Sequence, residues 1–222
     1  MKDVIIITGG SNGLGKALVE YSLNKGLMVC NLDKENLQLN NPNYKCFVGD
    51  VSNEDFINAT IDKIASIGNI KYLVNNAGET SFKLPSKYTK SDIDKCFKGL
   101  QGMILATTRV IQVKDEEDLK IVNIMSSAAL RGNRQEAVYC ATKWGERGYT
   151  ESLKVAYKGT SVKIVGVYPG GMNTDFYKDS RDYVSLKKQQ SFMNPNEVAE
   201  IICKNIFSDL NLTVADIIIE RN

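Results

Sequence analysis

The sequence predicts an α/β fold, a doubly wound parallel sheet of about seven strands with helices on both faces. Three observations carry this. Short, β-branched apolar runs alternate with longer amphipathic stretches along all 222 residues, the pattern of strands joined by crossover helices. The first run ends in a glycine-rich loop that opens onto a helix. Residues able to do chemistry collect where apolar runs end, the edge at which such sheets bind ligands.

Asp3-Val-Ile-Ile-Ile-Thr8 reads as a strand buried on both faces. Thr8-Gly-Gly-Ser-Asn-Gly-Leu-Gly15 follows, then an amphipathic helix to about Lys25. Glycines let backbone turn and approach a ligand, and the N–H groups and dipole at a helix start attract a phosphate. Gly9, Ser11, Asn12, Gly13, Leu14 and Gly15 are the candidates for that contact. Gly26 closes the helix, and Leu27 to Leu32 forms the second strand, ending in Asp33. A carboxylate about 20 residues past the loop can bind both hydroxyls of an adenosine ribose and repels a 2′-phosphate. Lys34 works the other way, but Asn12 supplies no second cation. The residues favour NAD, with NADP as the alternative.

Tyr44 to Val48 is the third strand and leads into Gly49-Asp50-Val51. Ser52 or Asn53 caps a helix to about Ile67. Ile70 to Val74 is the fourth strand, followed by Asn75-Asn76-Ala77-Gly78. Two amides and a glycine suit backbone lying against a ligand, though the same string also makes plain turns. Ser91 to about Val113 is a helical pattern broken by Gly99 and Gly102. Leu119 to Met125 is the fifth strand, and Ala137 to about Tyr157 the next helix. Ser161 to Tyr168 is the sixth strand, ending in Pro169-Gly-Gly-Met-Asn-Thr174. Asp175 to Asn194 reads as a loop or short helices. Pro195 starts a helix to Phe207, and Val214 to Glu220 is a last short strand.

The chemistry centres on Ser126 to Lys143, which ends in Tyr139-Cys-Ala-Thr-Lys143. A Tyr and a Lys four apart share one face of a helix. A phenol has a reference pKa of about 10, and a shift of roughly 2–3 units makes it an acid–base near neutral pH. A unit charge about 4 Å away supplies roughly 4 kcal/mol at an effective dielectric of 20, which is enough. The spacing alone is weak: Tyr21/Lys25 and Tyr183/Lys187 share it, and such pairs are commonly solvated. Context separates Tyr139, because Ser126 lies thirteen residues before it, directly after the apolar run Ile121 to Met125.

Composition narrows the field further. Histidine is absent, which excludes His-based triads and most zinc sites. Net charge is +2 with the signs interspersed, giving no case for nucleic acid or an anionic membrane. No apolar run reaches membrane-spanning length, and the N-terminus has no signal-peptide layout. The five cysteines are scattered and lack metal-site spacing. They read as reduced thiols, so a cytoplasmic location is expected.

T-G-G-S-N-G-L-G, Asp50-Val51, N-N-A-G, I-V-N-I-M-S, Y-C-A-T-K and P-G-G-M-N-T, in this order, resemble the short-chain dehydrogenase/reductases over nearly the whole chain. The resemblance implies a single Rossmann-type domain over residues 1–222, using a nicotinamide cofactor and no metal. The implied reaction is hydride transfer between NAD(P)(H) and a small carbonyl or alcohol. It makes Tyr139 the acid–base, with Lys143 lowering its pKa and binding the nicotinamide ribose, and Ser126 holding the substrate oxygen. Asp50 and Val51 would hold the adenine, Asn76, Ala77 and Gly78 would lie beside the adenosine, and Met172 to Thr174 would contact the carboxamide. Residues 175–194 resemble a substrate lid. The helices at about 91–113 and 137–157 would pair copies into a homodimer or homotetramer. Arg131, Arg134 and Glu136 would give a rim suited to a polar or anionic small carbonyl compound.

One departure stands out. The family usually has an Asn in the helix before the fifth strand, in a pattern like N-x-x-G, and Gly99 takes its place here. In the family that Asn kinks the helix, and its main-chain carbonyl holds a water on the path to the lysine. Glycine keeps the carbonyl and loses the side chain, so a weakened relay is expected. The departure also favours the alternative of a cofactor-binding sensor or regulatory protein with little turnover.

Overall fold

In the computed structural model, which describes residues 1–115, 117–180, 182–208 and 213–221, seven strands among the described residues form one parallel sheet. The strands are β1 (Asp3–Thr8), β2 (Met28–Asp33), β3 (Tyr44–Val48), β4 (Asn69–Asn75), β5 (Leu119–Ile124), β6 (Val162–Pro169) and β7 (Asp216–Ile219). Their order is β3-β2-β1-β4-β5-β6-β7, the doubly wound arrangement expected. The chain steps outward from β1 to β3 and then returns to build on the other side of β1. The switch point therefore falls between β1 and β4, whose carboxyl ends carry the glycine loop and Asn76-Ala77-Gly78. Positions 116, 181, 209–212 and 222 of the expected domain, and with them part of the expected lid, lie outside the described residues.

The helices are α1 (Gly13–Asn24), α2 (Glu54–Ile67), α3 (Lys90–Lys114), α4 (Ala137–Ala156), the short α5 (Leu186–Gln190) and α6 (Pro195–Ile206). Alternation along β1 splits the core in two. Ile5 and Ile7 face a layer with α1 and α6, while Val4 and Ile6 face one with α2, α3 and α4. Each such fully buried side chain contributes about 1.5–3 kcal/mol. Asn53 caps α2 by accepting from Phe56 N–H at 2.9 Å, and Thr89 and Asp92 form a capping box at the start of α3. Asn194 caps α6, with Pro195 at its first position.

One expectation needs correction. Gly99 and Gly102 do not break α3, which runs unbroken from Lys90 to Lys114. Both glycines are buried and lie against backbone. A Cβ at Gly102 would sit 2.6 Å from Val51, and one at Gly99 would sit 3.2 Å from both Ala77 O and Gly78 Cα. Their smallness lets α3 close onto the loops after β3 and β4, which offsets the helix cost of about 1 kcal/mol each.

Candidate active site

A cleft of about 870 Å³ opens at the carboxyl ends of the strands. It brings together Gly9, Asn12, Gly13, Leu14, Gly15, Asp33, Asp50, Val51, Asn76, Ala77 and Gly78 with Ser126, Tyr139, Lys143, Met172 and Thr174. Of the residues expected from the sequence, Asn173, Arg134 and Ser11 stand outside this lining. Ser11 is held elsewhere. Its N–H donates to Asp33 Oδ2 at 2.8 Å and its hydroxyl to the Glu35 carbonyl at 2.8 Å, so it braces the loop from behind.

At one end, the string after β4 proves to be more than a turn. The Asn76 and Ala77 N–H groups both donate to Thr8 Oγ1 at 3.0 Å, and Asn76 Nδ2 donates to the Thr8 and Gly9 carbonyls. Gly9 takes φ +68°, where a Cβ would meet Ala77 Cα at 2.8 Å. A Cβ at Gly15 would lie only 2.0 Å from Gly9 O. The start of α1 carries no side-chain cap and no acidic residue in its first turn. Asn12 instead donates to Glu35 Oε2 at 2.6 Å. The first turn of α1 thus offers its amides to the cleft, chemistry that suits a pyrophosphate.

Asp33 follows at the end of β2, its carboxylate accepting from the Ser11 and Glu35 N–H groups at 2.8 and 3.0 Å. Two oxygens keep lone pairs beyond these bonds. Lys34 turns to Glu79 at 2.6 Å and Asp50 at 3.3 Å. Burial pushes the Asp50 carboxyl up, but hydrogen bonds from Lys98 and Ser52, with the Lys34 charge, outweigh it and hold Asp50 well below the usual range.

At the other end, Tyr139 sits in the first turn of α4, 6% exposed and hydrogen-bonded to Ser126. Ser126 closes β5, and its hydroxyl also accepts from Ala128 N–H at 3.1 Å. The Lys143 ammonium lies 5.6 Å from the Tyr139 ring centroid. It meets both carboxylate oxygens of Glu146, at 3.0 and 2.8 Å. Lys143 is 5% and Glu146 1% exposed. Burial raises Tyr139 far above the ordinary phenol value, the Ser126 bond opposes this, and Glu146, Glu136 and Cys140 add to it. Burial is the larger influence here, and the Lys143 charge expected to lower the phenol is paired with a buried carboxylate. Burial likewise raises Glu146, against the pull of Lys143.

Glu146, buried against Lys143, is the neighbour that the sequence reading missed. Three residues after a lysine, it has the spacing of an ordinary surface pair. A second missed feature is a buried polar chain. Asn75 Nδ2 donates to Thr107 and Asn123, Asn123 donates to Thr150, and Thr150 donates to the Glu146 carbonyl. It fixes α4 against β5 beneath the lysine. Its signal was Asn123, an amide in the middle of an apolar strand. The wall beyond Tyr139 is aromatic: Phe82 lies edge-on at 5.5 Å and Phe176 at 6.0 Å, with Tyr177, Tyr183 and Phe192 behind them. Of the expected charged rim, Arg131 lines the cleft and pairs with Glu220 at 3.3 Å. Glu136 accepts from the Tyr183 hydroxyl at 2.5 Å. Among the described residues, no helix is long and apolar enough to cross a membrane, and no cluster of candidate ligands could hold a metal ion.

Residues 3–185 match the family described as short chain dehydrogenase. The chain is 30% identical to carbonyl reductase family member 4 of Xenopus laevis, over 91% of this chain and 90% of that protein. It is 25% identical to the sepiapterin reductase of Chlorobaculum tepidum, over 99% and 96% of the two. The solved structure of ElxO with NADP bound superposes with a TM-score of 0.88 at 25% identity, covering 99% of this chain and 97% of the other.

Proposed function

The chain belongs to the short-chain dehydrogenase family of oxidoreductases, and we propose that it moves a hydride between a nicotinamide dinucleotide and a small carbonyl or alcohol. The observation that carries this is one cleft holding the glycine loop and Asp33 at one end and Ser126, Tyr139 and Lys143 at the other. The residues suit the cofactor: the uncapped start of α1 would hold the pyrophosphate, Asp33 the adenosine ribose, Asp50 and Val51 the adenine, and Met172 and Thr174 the carboxamide. When bound, the nicotinamide supplies or accepts the hydride. Ser126 orients the substrate oxygen, Tyr139 gives or takes its proton, and Lys143 holds the nicotinamide ribose.

The finer cofactor preference is NAD(H). ElxO carries NADP, so support for NAD comes from this chain's own residues and not from the comparison. An Asp33 carboxylate would repel a 2′-phosphate on the ribose it binds, Glu35 adds a second acidic side chain to the cleft, and Lys34 is engaged by Glu79 and Asp50. The aromatic wall favours a compact carbonyl compound over an extended acyl chain. Residues 1–222 would act as one cofactor-binding and catalytic domain, with 175–194 as the lid. Ile93, Phe97 and Ile104 on α3 and Trp144 on α4 are exposed, an apolar face that suits pairing with a second copy. The sensor alternative rested on Gly99 and gains nothing from the similar proteins, which are named as reductases or dehydrogenases. The test is a panel of ketones, aldehydes, dicarbonyls and polyols, followed by the absorbance of the reduced cofactor. Turnover that vanishes in Tyr139→Phe supports the reading; tight cofactor binding with no turnover across the panel overturns it.

A further inference from the structure

Glu146 is a fully enclosed carboxylate whose side-chain partner, among the described residues, is Lys143. Its place is made by another element. A Cβ on Gly99 of α3 would lie 3.6 Å from Glu146 Oε1, so the position at which the sequence departs from the expected family pattern borders this carboxylate directly. The Lys143 ammonium completes the arrangement, lying 3.6 Å from where a Cβ on Gly78 would be. Helix, loop and carboxylate thus enclose the ammonium on the side away from the cleft.

We propose that Glu146 is a positioning residue of the catalytic apparatus. Seated in the space that Gly99 leaves, it fixes the Lys143 ammonium by a two-oxygen contact and sets the charge this lysine presents to Tyr139. The proposal rests on the reading of Tyr139 as the acid–base. A purely structural ion pair explains it less well. A buried pair contributes little net stability compared with apolar side chains of the same volume, whereas this one stacks along the helix face that carries the phenol, its lysine about one turn and its carboxylate about two turns away. It also gives Gly99 a reason: a side chain there would press on the Ala77–Gly78 backbone and crowd the carboxylate.

The consequence concerns the phenol. The charged and titratable groups facing Tyr139 are Lys143, Glu146 and Cys140 on α4, Glu136 just before it, and Tyr177 from the segment beyond β6. Tyr183 reaches the same corner through its bond to Glu136. Lys143 is the only cation in this set, and Glu146 neutralises it. Burial holds Tyr139 as a phenol, and the offset lysine does little to reverse this, so the group is poised to donate its proton to a carbonyl oxygen.

The experiment follows Tyr139 in protein carrying tyrosine labelled at the phenol-bearing ring carbon, its resonance assigned by its loss in Tyr139→Phe. Wild type and Glu146→Gln are titrated without cofactor across about pH 7 to 11. The expected result is that the first sign of ionisation, at the top of this range, comes about one pH unit lower in Glu146→Gln, where the ammonium is unopposed, than in the wild type, which burial holds protonated through most of it. The same curve in both proteins, or no ionisation in either, overturns the proposal. If Glu146→Gln does not fold, Glu146→Asp is read instead. It withdraws the charge by one methylene and should move the curve the same way by less; an unchanged curve overturns the proposal. This readout needs no substrate, so it stands apart from failure of the enzyme reading. Where turnover is found, the pH profile of alcohol oxidation should move down by the same amount, while a merely structural role would change melting temperature and leave the profile in place.

Discussion

Gly99→Asn introduces the residue that the family resemblance led one to expect, and the close contacts around Gly99 make it damaging. The new Cβ would lie 3.2 Å from Ala77 O and Gly78 Cα, and 3.6 Å from Glu146 Oε1. Ala77 is pinned to Thr8 by its N–H, so that backbone yields little. The amide beyond the Cβ then needs the volume held by the Glu146 carboxylate. Replacing glycine inside a helix recovers only a few tenths of a kcal/mol with Asn, about 0.3. Overpacking costs about 1–3 kcal/mol, and separating a buried pair costs up to about 3–5 kcal/mol. The expected net loss is about 2–4 kcal/mol, roughly 5–15 °C in Tm for a chain of this size. Denaturant and thermal unfolding at neutral pH measure it, with Gly99→Ala as a milder control in which helix propensity offsets part of the crowding. If Gly99→Asn unfolds like the wild type, or speeds a proton-limited step, the space beside Gly99 is not filled as described and the reasoning fails.

Three further outcomes are expected. NAD(H) should bind more tightly than NADP(H) in parallel calorimetric titrations, and Asp33→Ala should narrow or invert the gap; about tenfold tighter NADP(H), roughly 1.4 kcal/mol, would show that Lys34 wins. The protein should be a dimer or tetramer by light scattering, and Phe97→Arg with Trp144→Glu should shift it toward monomer; a monomeric wild type at tens of micromolar refutes the pairing of α3 and α4. Because burial keeps Tyr139 protonated well above neutral pH, carbonyl reduction, which needs the phenol, should stay level from about pH 6 to 8. Alcohol oxidation needs the phenolate and should climb with pH; an oxidation rate already at its plateau below about pH 7 contradicts this.

Much of the fold was legible because local chemistry and tertiary structure agree here. β-branched runs became β1 to β7, the Asn53 and Asn194 caps start α2 and α6, and Gly26 ends α1 at φ +81°. The glycine loop, Asp33 and Ser126 were singled out at or just past strand ends, and the cleft gathers them with Tyr139 and Lys143 of α4. What escaped depends on distant partners. Gly99 and Gly102 look like helix breakers until Ala77 and Val51 are seen against them. Glu146 looks like a surface residue until Gly99, 47 positions earlier, is seen to make room for it. The aromatic wall joins Phe82 to Phe176, Tyr177 and Tyr183, and no short-range pattern links them. Ser11 was read as a ligand contact because the loop was, but its side chain turns back to Glu35.

The central claim is that Tyr139 is the proton-transferring group of a nicotinamide-dependent oxidoreductase. Single-turnover reduction of a reactive dicarbonyl by wild type and Tyr139→Phe, beside calorimetric titration of the cofactor into each, tests it most directly. The phenol hydroxyl is removed and the ring kept, so packing against Phe82 and Phe176 is preserved. The account predicts a loss of roughly 100- to 10,000-fold in rate, with cofactor affinity nearly unchanged. Equal rates in the two proteins would contradict it.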